Sequence, residues 1–506
     1  MEPHVMAGQL LHKSECLKTV NISGLANALW VNLTSAAPFK ALLSFMDFDP
    51  RSTGLSDKLT GLPDELLAYI IGGMPLRTLF SLRNISKRFY RFLDDVTVWQ
   101  KALSSTLGIP RSSVETILLG SSPGEVRQRA MRVLLVNEQW HRPQRYPRRI
   151  RTYRWLNLRD VQILPGGDWL VCLSTDGTLQ LRRADRALST EFTIPEAVDM
   201  SGFTTSSTSV NPHGSFYVLF HCTQRLYIYE VYVVPEPIMR LVVVTVRRDL
   251  GPEATILRNA SIAGNIVGFD CFWAGRNLLC LRTVRPNSDG KHEQIAFLYN
   301  MANCTIHILS RRIVIVCDAS SIEVHKVPEL RPMSSVTDLQ IVESEIILKQ
   351  NLQIVTPGTL TGSPAVWDSF DGGHIGPLIM IGPGVLHIVL PSSDLESYGF
   401  RAFRVPEILA PFPTSGTRYA LCPQLEPGRG LVFWTVKYPV VLPFGGDDDP
   451  RSFEVEPDYV PVGRFVVDEI KHMAVVATRM DDWTGRACII LEDGPNSRSL
   501  GVLDVV

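Results

Sequence analysis

Eleven histidines, nine cysteines and 51 Asp or Glu give this 506-residue chain many groups able to act on a proton, a metal or a carbonyl carbon, yet few stand at spacings that would let them. His374 lies in Gly372-Gly373-His374-Ile375-Gly376, a tight turn beside which a ligand would fit. It has no partner at metal or triad spacing, so a structural role is the better reading. Asp447-Asp448-Asp449 follow Gly445-Gly446 and offer oxygens to a cation. They lack the spaced ligands of a calcium loop and read as a solvated hairpin tip. No G-x-S-x-G elbow, phosphate-binding loop, H-E-x-x-H zinc pair or dinucleotide fingerprint occurs. The cysteines form no C-x-x-C pair, and several sit in apolar runs such as Leu170-Val171-Cys172-Leu173 and Ala487-Cys488-Ile489. Free thiols used as small core residues in a reducing compartment look like this. The expectation is a chain that is not an enzyme, with no catalytic, metal-binding or cofactor-binding residue.

A second constellation points to nucleic acid. Arg142, Arg145, Arg148, Arg149, Arg151, Arg154 and Arg159 are interleaved with Trp140, Tyr146, Tyr153 and Trp155. Such composition tracks phosphates and stacks bases. Residues 101–160 hold twelve Lys or Arg against four Asp or Glu, although the chain as a whole has a formal charge of −1. The same residues serve equally well at a domain junction, with guanidinium groups lying on aromatic faces and pairing with acidic loops. Junction packing is the preferred reading, and a nucleic-acid-associated interaction protein is the alternative.

The elements that must position any such site fall into two kinds. The 45% hydrophobic and 20% charged composition is that of soluble globular proteins, so the bulk of the chain is expected to fold, in two or more domains. The first residues lack the basic-then-apolar order of a signal peptide, and the apolar stretch from Leu25 to Met46 is broken by Asn27, Asn32, Pro38 and Lys40. These features predict a soluble protein of the cytosol or nucleus without a membrane partner. From Leu62 short helices begin. Pro63 suits a first helical position, Asp64 and Glu65 complement the helix N-terminus, and Leu66, Leu67, Ile70, Ile71 and Met74 form an apolar stripe. Pro75 starts a second helix with Leu76, Leu79, Phe80 and Leu82 inside. Ser86 caps a third carrying Phe89, Phe92 and Leu93, ahead of Val98, Trp99 and Leu103. Ser122-Pro123-Gly124-Glu125 is a capping box opening a further helix.

The run Leu62-Pro63-Asp64-Glu65-Leu66-Leu67, with Ile70-Ile71, Met74-Pro75-Leu76, Leu79, Leu82, Ile85-Ser86-Lys87-Arg88-Phe89 and Trp99, resembles the F-box motif. Three helices this short need another source of apolar burial. What the resemblance implies is that a Skp-type adaptor protein, bridging to a cullin, supplies it. By position matching, Leu62, Pro63, Leu66, Leu67, Ile70, Met74, Pro75, Leu76, Leu79, Leu82, Ile85 and Trp99 would make or support that interface.

After about residue 156 the helical period gives way to short strands and turns. Pro165-Gly166-Gly167-Asp168 leads into Trp169 to Ser174, an Asp176-Gly177 turn and an alternating Thr178 to Arg182. Comparable hairpins begin near 212, 264, 313, 378, 418 and 473. A closed ring of four-stranded sheets, a β-propeller of six to eight blades, is the economical reading, because closure leaves only short edges. The order of parts, and phrases such as Pro-Gly-Gly-Asp-Trp-Leu-Val, resemble fungal F-box proteins with a β-propeller-like C-terminal domain. The expected organisation is multidomain, α followed by all-β: 1–58 an N-terminal arm, 59–105 the F-box, 106–155 a helical and basic linker, 156–506 a substrate-recognition propeller. The resemblance implies the substrate receptor of an SCF-type ubiquitin ligase, holding an unidentified target protein on variable loops: Thr204 to Asn211, Arg285 to Lys291, Thr356 to Gly373 or Gly445 to Arg451. A propeller enzyme is a further alternative, since such sites draw on several blades and leave no compact motif.

Overall fold

A computed structural model describes most of residues 64–140, 149–332 and 341–351, the strands between 361 and 466, and most of 473–504; residues 1–63 and the intervening segments lie outside it. The chain divides into two compact units, Met1–Thr106 and Leu107–Val506.

In the first unit the backbone is helical at Asp64, Leu67 and Ile71. Three further helices follow: α1 (Leu76–Arg83), α2 (Lys87–Phe92) and α3 (Val96–Leu107). Pro75 is the N-cap of α1, where its missing N–H costs nothing. Ser86 caps α2 as its sequence position predicts, its Oγ accepting from the Phe89 N–H at 3.2 Å. The faces of these helices converge on Trp99, which is fully buried, donates its indole N–H to the Leu93 carbonyl at 2.6 Å and lies 4.7 Å from the Phe80 ring.

The second unit opens with α4 (Arg111–Ile117) and α5 (Pro123–Trp140). The capping box is made at both ends: the Glu125 carboxylate accepts from the Ser122 N–H at 2.7 Å, and Ser122 Oγ accepts from the Glu125 N–H at 3.3 Å. Seven antiparallel sheets follow, called blades here: Leu158–Phe192, Thr204–Val246, Ala254–Tyr299, Thr305–Asn351, Thr361–Arg404, Thr414–Val466 and Ala474–Asp504. The first strand of each blade touches that of the next, and the first strand of blade 7 touches that of blade 1, so the ring closes. Blade 7 takes its fourth strand from the front of the unit. Arg149–Arg154 pairs antiparallel with the last strand, Arg149 opposite Asp504 and Arg154 opposite Ser499.

Each sheet is sandwiched between two others, and this sets the sequence pattern. Inner strands must be apolar on both faces: every residue of Ser215–His221 is buried, whereas Glu345–Asn351, an outer strand, is mostly exposed or half-buried. Tyr217, Leu219 and Ile228 of blade 2 pack on Phe269, Cys271 and Cys280 of blade 3; Leu158, Val161 and Cys172 of blade 1 pack on Cys488, Ile490 and Val502 of blade 7. Each such Leu, Ile or Val contributes about 1.5–3 kcal/mol. Cys172, Cys271, Cys280, Cys304 and Cys488 are free and buried.

Two expectations are corrected. The β-region starts at Arg149, and residues 107–140 fold with the sheets, so 106–155 is not a linker; a strand whose partners lie at the far end of the chain leaves no hairpin signal of its own. Thr204–Asn211 is not a loop but the first strand of blade 2, where small Thr and Ser suit the crowded inner ring. Arg285 to Lys291 does lie between strands of blade 3. Apart from the strand at Thr361–Gly362, Thr356 to Gly373 falls outside the described residues, as do Gly445 to Arg451, His374 and Asp447 to Asp449.

Candidate functional site

Within the first unit the twelve motif residues separate by exposure. Leu67, Met74, Leu76, Leu79, Leu82 and Trp99 are buried, as are Ile71, Phe89, Leu93 and Leu103. Pro75 is exposed. The side chains of Leu62, Pro63, Leu66, Ile70 and Ile85 lie outside the described residues. Leu79, fully buried, therefore supports a surface rather than being one. The apolar groups left outward include Tyr90, 48% exposed with the Arg83 guanidinium 4.0 Å above its ring, and the half-buried Phe80 and Phe92. The sequence carries a signal for Tyr90: it directly follows Phe89 on α2, and adjacent helical positions face different sides.

In the second unit a dense polar cluster lies at the joint of blades 7 and 1. Asp504 accepts from Arg486 Nε at 2.6 Å, from Arg151 at 2.8 Å and from Arg132 of α5 at 3.1 Å. Burial pushes the Asp504 carboxyl upward, but these arginines outweigh it and hold it below its ordinary value. Arg129 of α5 reaches Asp168 at 2.5 Å. Asp481 accepts from Thr484 Oγ1 at 2.7 Å and from the Gly166 N–H at 3.0 Å, and burial raises its carboxyl. The Pro165-Gly166-Gly167-Asp168 phrase is explained here. Gly166 and Gly167 have φ of +95° and +71°, and a Cβ on Gly167 would stand 2.1 Å from Thr484 Oγ1.

This joint also shows what part of the arginine run does. Arg151, 14% exposed, is spent on Asp504, and Trp155 takes the Arg182 guanidinium at 4.4 Å over its ring. Arg154 is exposed, while Trp140, Arg142, Arg145, Tyr146 and Arg148 have side chains outside the described residues.

One grouping has the residue types of a hydrolytic triad. In blade 4, Ser344 Oγ is 3.0 Å from His325 Nδ1, and His325 Nε2 is 3.2 Å from Glu323 Oε2, whose other oxygen accepts from Lys349 at 2.7 Å. Burial lowers the imidazole pKa and Glu323 opposes it. His325 and Glu323 are almost fully buried, so the chain of hydrogen bonds satisfies polar groups inside a sheet. Among the described residues no group of three or more His, Cys, Asp or Glu is placed to hold a metal, and no helix is long and apolar enough to cross a membrane.

Residues 59–101 match the F-box domain family. No curated protein matches the chain. Among solved structures, the β-propeller domain of Cps50 (Swd1) from Myceliophteria thermophila is 9% identical with a TM-score of 0.42, over 70% of this chain and 98% of that one. The WD40 domain of SCAP from fission yeast is 10% identical with a TM-score of 0.35, over 71% and 98%. The ring itself is read from the strand order and the contacts between blades. The chain thus carries an F-box domain at 59–101, followed by seven sheets closed into a ring as in a β-propeller.

Proposed function

We propose that this protein is the substrate-recognition subunit of an SCF-type ubiquitin ligase. Its F-box binds a Skp-type adaptor and through it a cullin, and its propeller holds a target protein. The observation that carries the reading is the F-box match at 59–101, joined to a ring whose strands are committed to pairing and whose connections are left to vary. The chain contributes effective concentration rather than bond-making: a ubiquitin-loaded enzyme brought near the target's lysines supplies the chemistry. It works in the cytoplasm or nucleus.

The test is co-purification of full-length protein with a Skp-type adaptor. Leu66→Asp is expected to abolish binding, with the helical circular dichroism read alongside, because an unpaired carboxylate at an apolar interface costs several kcal/mol. Leu79→Asp is expected to abolish both, since Leu79 is core. No association of the wild-type chain with the adaptor would overturn the reading.

A further inference from the structure

The connection between the third and fourth strands of blade 4 does not stay in blade 4. After Ser321–Lys326 the chain crosses to blade 3, where Arg331 and Pro332 pair antiparallel with Gln294 and Glu293. Ile341 and Val342 then pair parallel with Ala296 and Phe297 before the chain returns to Glu345–Asn351. This strap lies on the outer edge of Glu293–Tyr299, the fourth strand of blade 3. Among the described residues it is the only fourth strand covered by chain from another blade.

The other edges have protection of their own. Arg149–Arg154 carries three arginines, Ile238–Val246 and Glu345–Asn351 pair with breaks in register, Tyr398–Arg404 and Gly463–Val466 carry arginine, and Ser189–Phe192 is short and carries Glu191. Charges, bulges and shortness keep an edge from templating a further strand. Glu293–Tyr299 has one charge, at its start, and an unbroken register with its neighbour. It is the edge best suited to receive a strand, and four strap residues occupy a seven-residue template. Ile341 packs at the cluster shared by blades 2 and 3, and Val342 at that shared by blades 3 and 4.

We infer that this edge is a recognition groove for an extended peptide, and that the Ile341–Val342 part of the strap is a displaceable placeholder. The peptide adds as a strand along residues 295–299 and sets two adjacent β-branched residues where Ile341 and Val342 sit. It competes because it pairs continuously from Ile295 to Tyr299, whereas Ile341 and Val342 make a single dipeptide contact there. Val327 and Leu330, buried between blades 3 and 4, keep the strap's first half anchored during the exchange. The inference rests on the reading of the propeller as target-binding, and it names the target feature as an unstructured segment carrying a β-branched pair.

The probe is a labelled synthetic peptide of residues 339–345, Leu-Gln-Ile-Val-Glu-Ser-Glu, added to full-length protein in complex with the adaptor. A variant with Ile341→Lys and Val342→Lys is expected to bind it at least tenfold more tightly than wild type, with hydrogen exchange of amides 295–299 fast in the free variant and slowed by peptide. A peptide with Lys at the Ile and Val positions should not bind. Ala296→Cys with Ile341→Cys, which are register partners, gives a second test in one protein: reduced, it binds the probe; oxidised, with the strap fastened, it does not. Failure of the reduced protein to bind the probe would overturn the inference, as would equal binding by the oxidised and reduced forms. Adaptor binding is measured in every sample, so failure of the ligase reading appears separately.

Discussion

Blades 2 and 3 meet through strands that follow one another closely in the chain; their shared cluster of Tyr217, Leu219, Ile228, Phe269, Cys271 and Cys280 is apolar, and a few polar contacts cross beside it, Arg285 to Glu230 and the Gly264 N–H to Ser209 Oγ at 2.7 Å. Blades 7 and 1 meet through segments from opposite ends of the unit. They have an apolar cluster too, but their rim is a network of Asp504, Arg486, Arg151, Arg132, Asp168, Asp481 and Thr484. Apolar contact is non-directional, and fewer directional contacts need accompany it where a short connection already fixes which strands lie together. At the closing joint no connection does so, and hydrogen bonds with defined donors and acceptors specify which strand docks and in which register. α5 belongs to that joint, since Arg129 and Arg132 reach blades 1 and 7.

The largest test of this contrast is Asp504→Ala. It leaves Arg486, 3% exposed, without its carboxylate, and removing one member of a buried ion pair costs about 3–5 kcal/mol. Chemical denaturation should show that loss, and hydrogen exchange should locate it first in 149–154 and 498–504. The same carboxylate gives a pH dependence. Its folded-state pKa lies below the ordinary 3.8, so its stabilisation is complete above that value and is lost as pH falls below it. In the Ala variant that part of the acid slope should be missing.

Leu219→Ala, in the apolar interface, is expected to cost about 2–4 kcal/mol through lost burial and a cavity. Exchange should accelerate on both sides of the blade 2–3 interface while the closing strand stays protected. If Leu219→Ala releases residues 149–154 as readily as Asp504→Ala does, the two contacts are not distinct and the contrast fails. Gly167→Ala should cost about 2 kcal/mol, combining a left-handed backbone with a Cβ pressed on Thr484. A melting point unchanged in this variant would mean that the turn yields. The smallest effect belongs to Ser122→Ala, which removes the capping hydroxyl of α5 and should cost about 1 kcal/mol in thermal unfolding.

Local signals in the sequence were legible. The capping serines at 86 and 122, the proline before α1 and the apolar stripes dictated the helices, and seven hairpin starts anticipated seven blades. The pairing of Arg149–Arg154 was not legible, because its partners lie at the far end of the unit and a single strand carries no mark of them. Thr204–Asn211 read as a loop because its Ser and Thr content mimics one; inner-ring crowding, a tertiary effect, makes it a strand. For the F-box, motif matching gave the segment but not the facing. It cannot tell that Leu79 and Trp99 are core while Tyr90 is outward, since both kinds of position are apolar.

The strand at Arg149–Arg154 also sets a schedule for synthesis. Its partner strand, Arg498–Asp504, leaves the ribosome roughly 350 residues after it, which at typical elongation rates is about 20–70 s. Until then the first and seventh sheets have no closed interface, and the apolar faces of Leu158, Val161 and Cys172 wait uncovered. Nascent chains of this protein are thus obliged to spend that interval with a hydrophobic surface open to chaperones, and the ring becomes a cooperative unit only when Arg498–Asp504 is delivered.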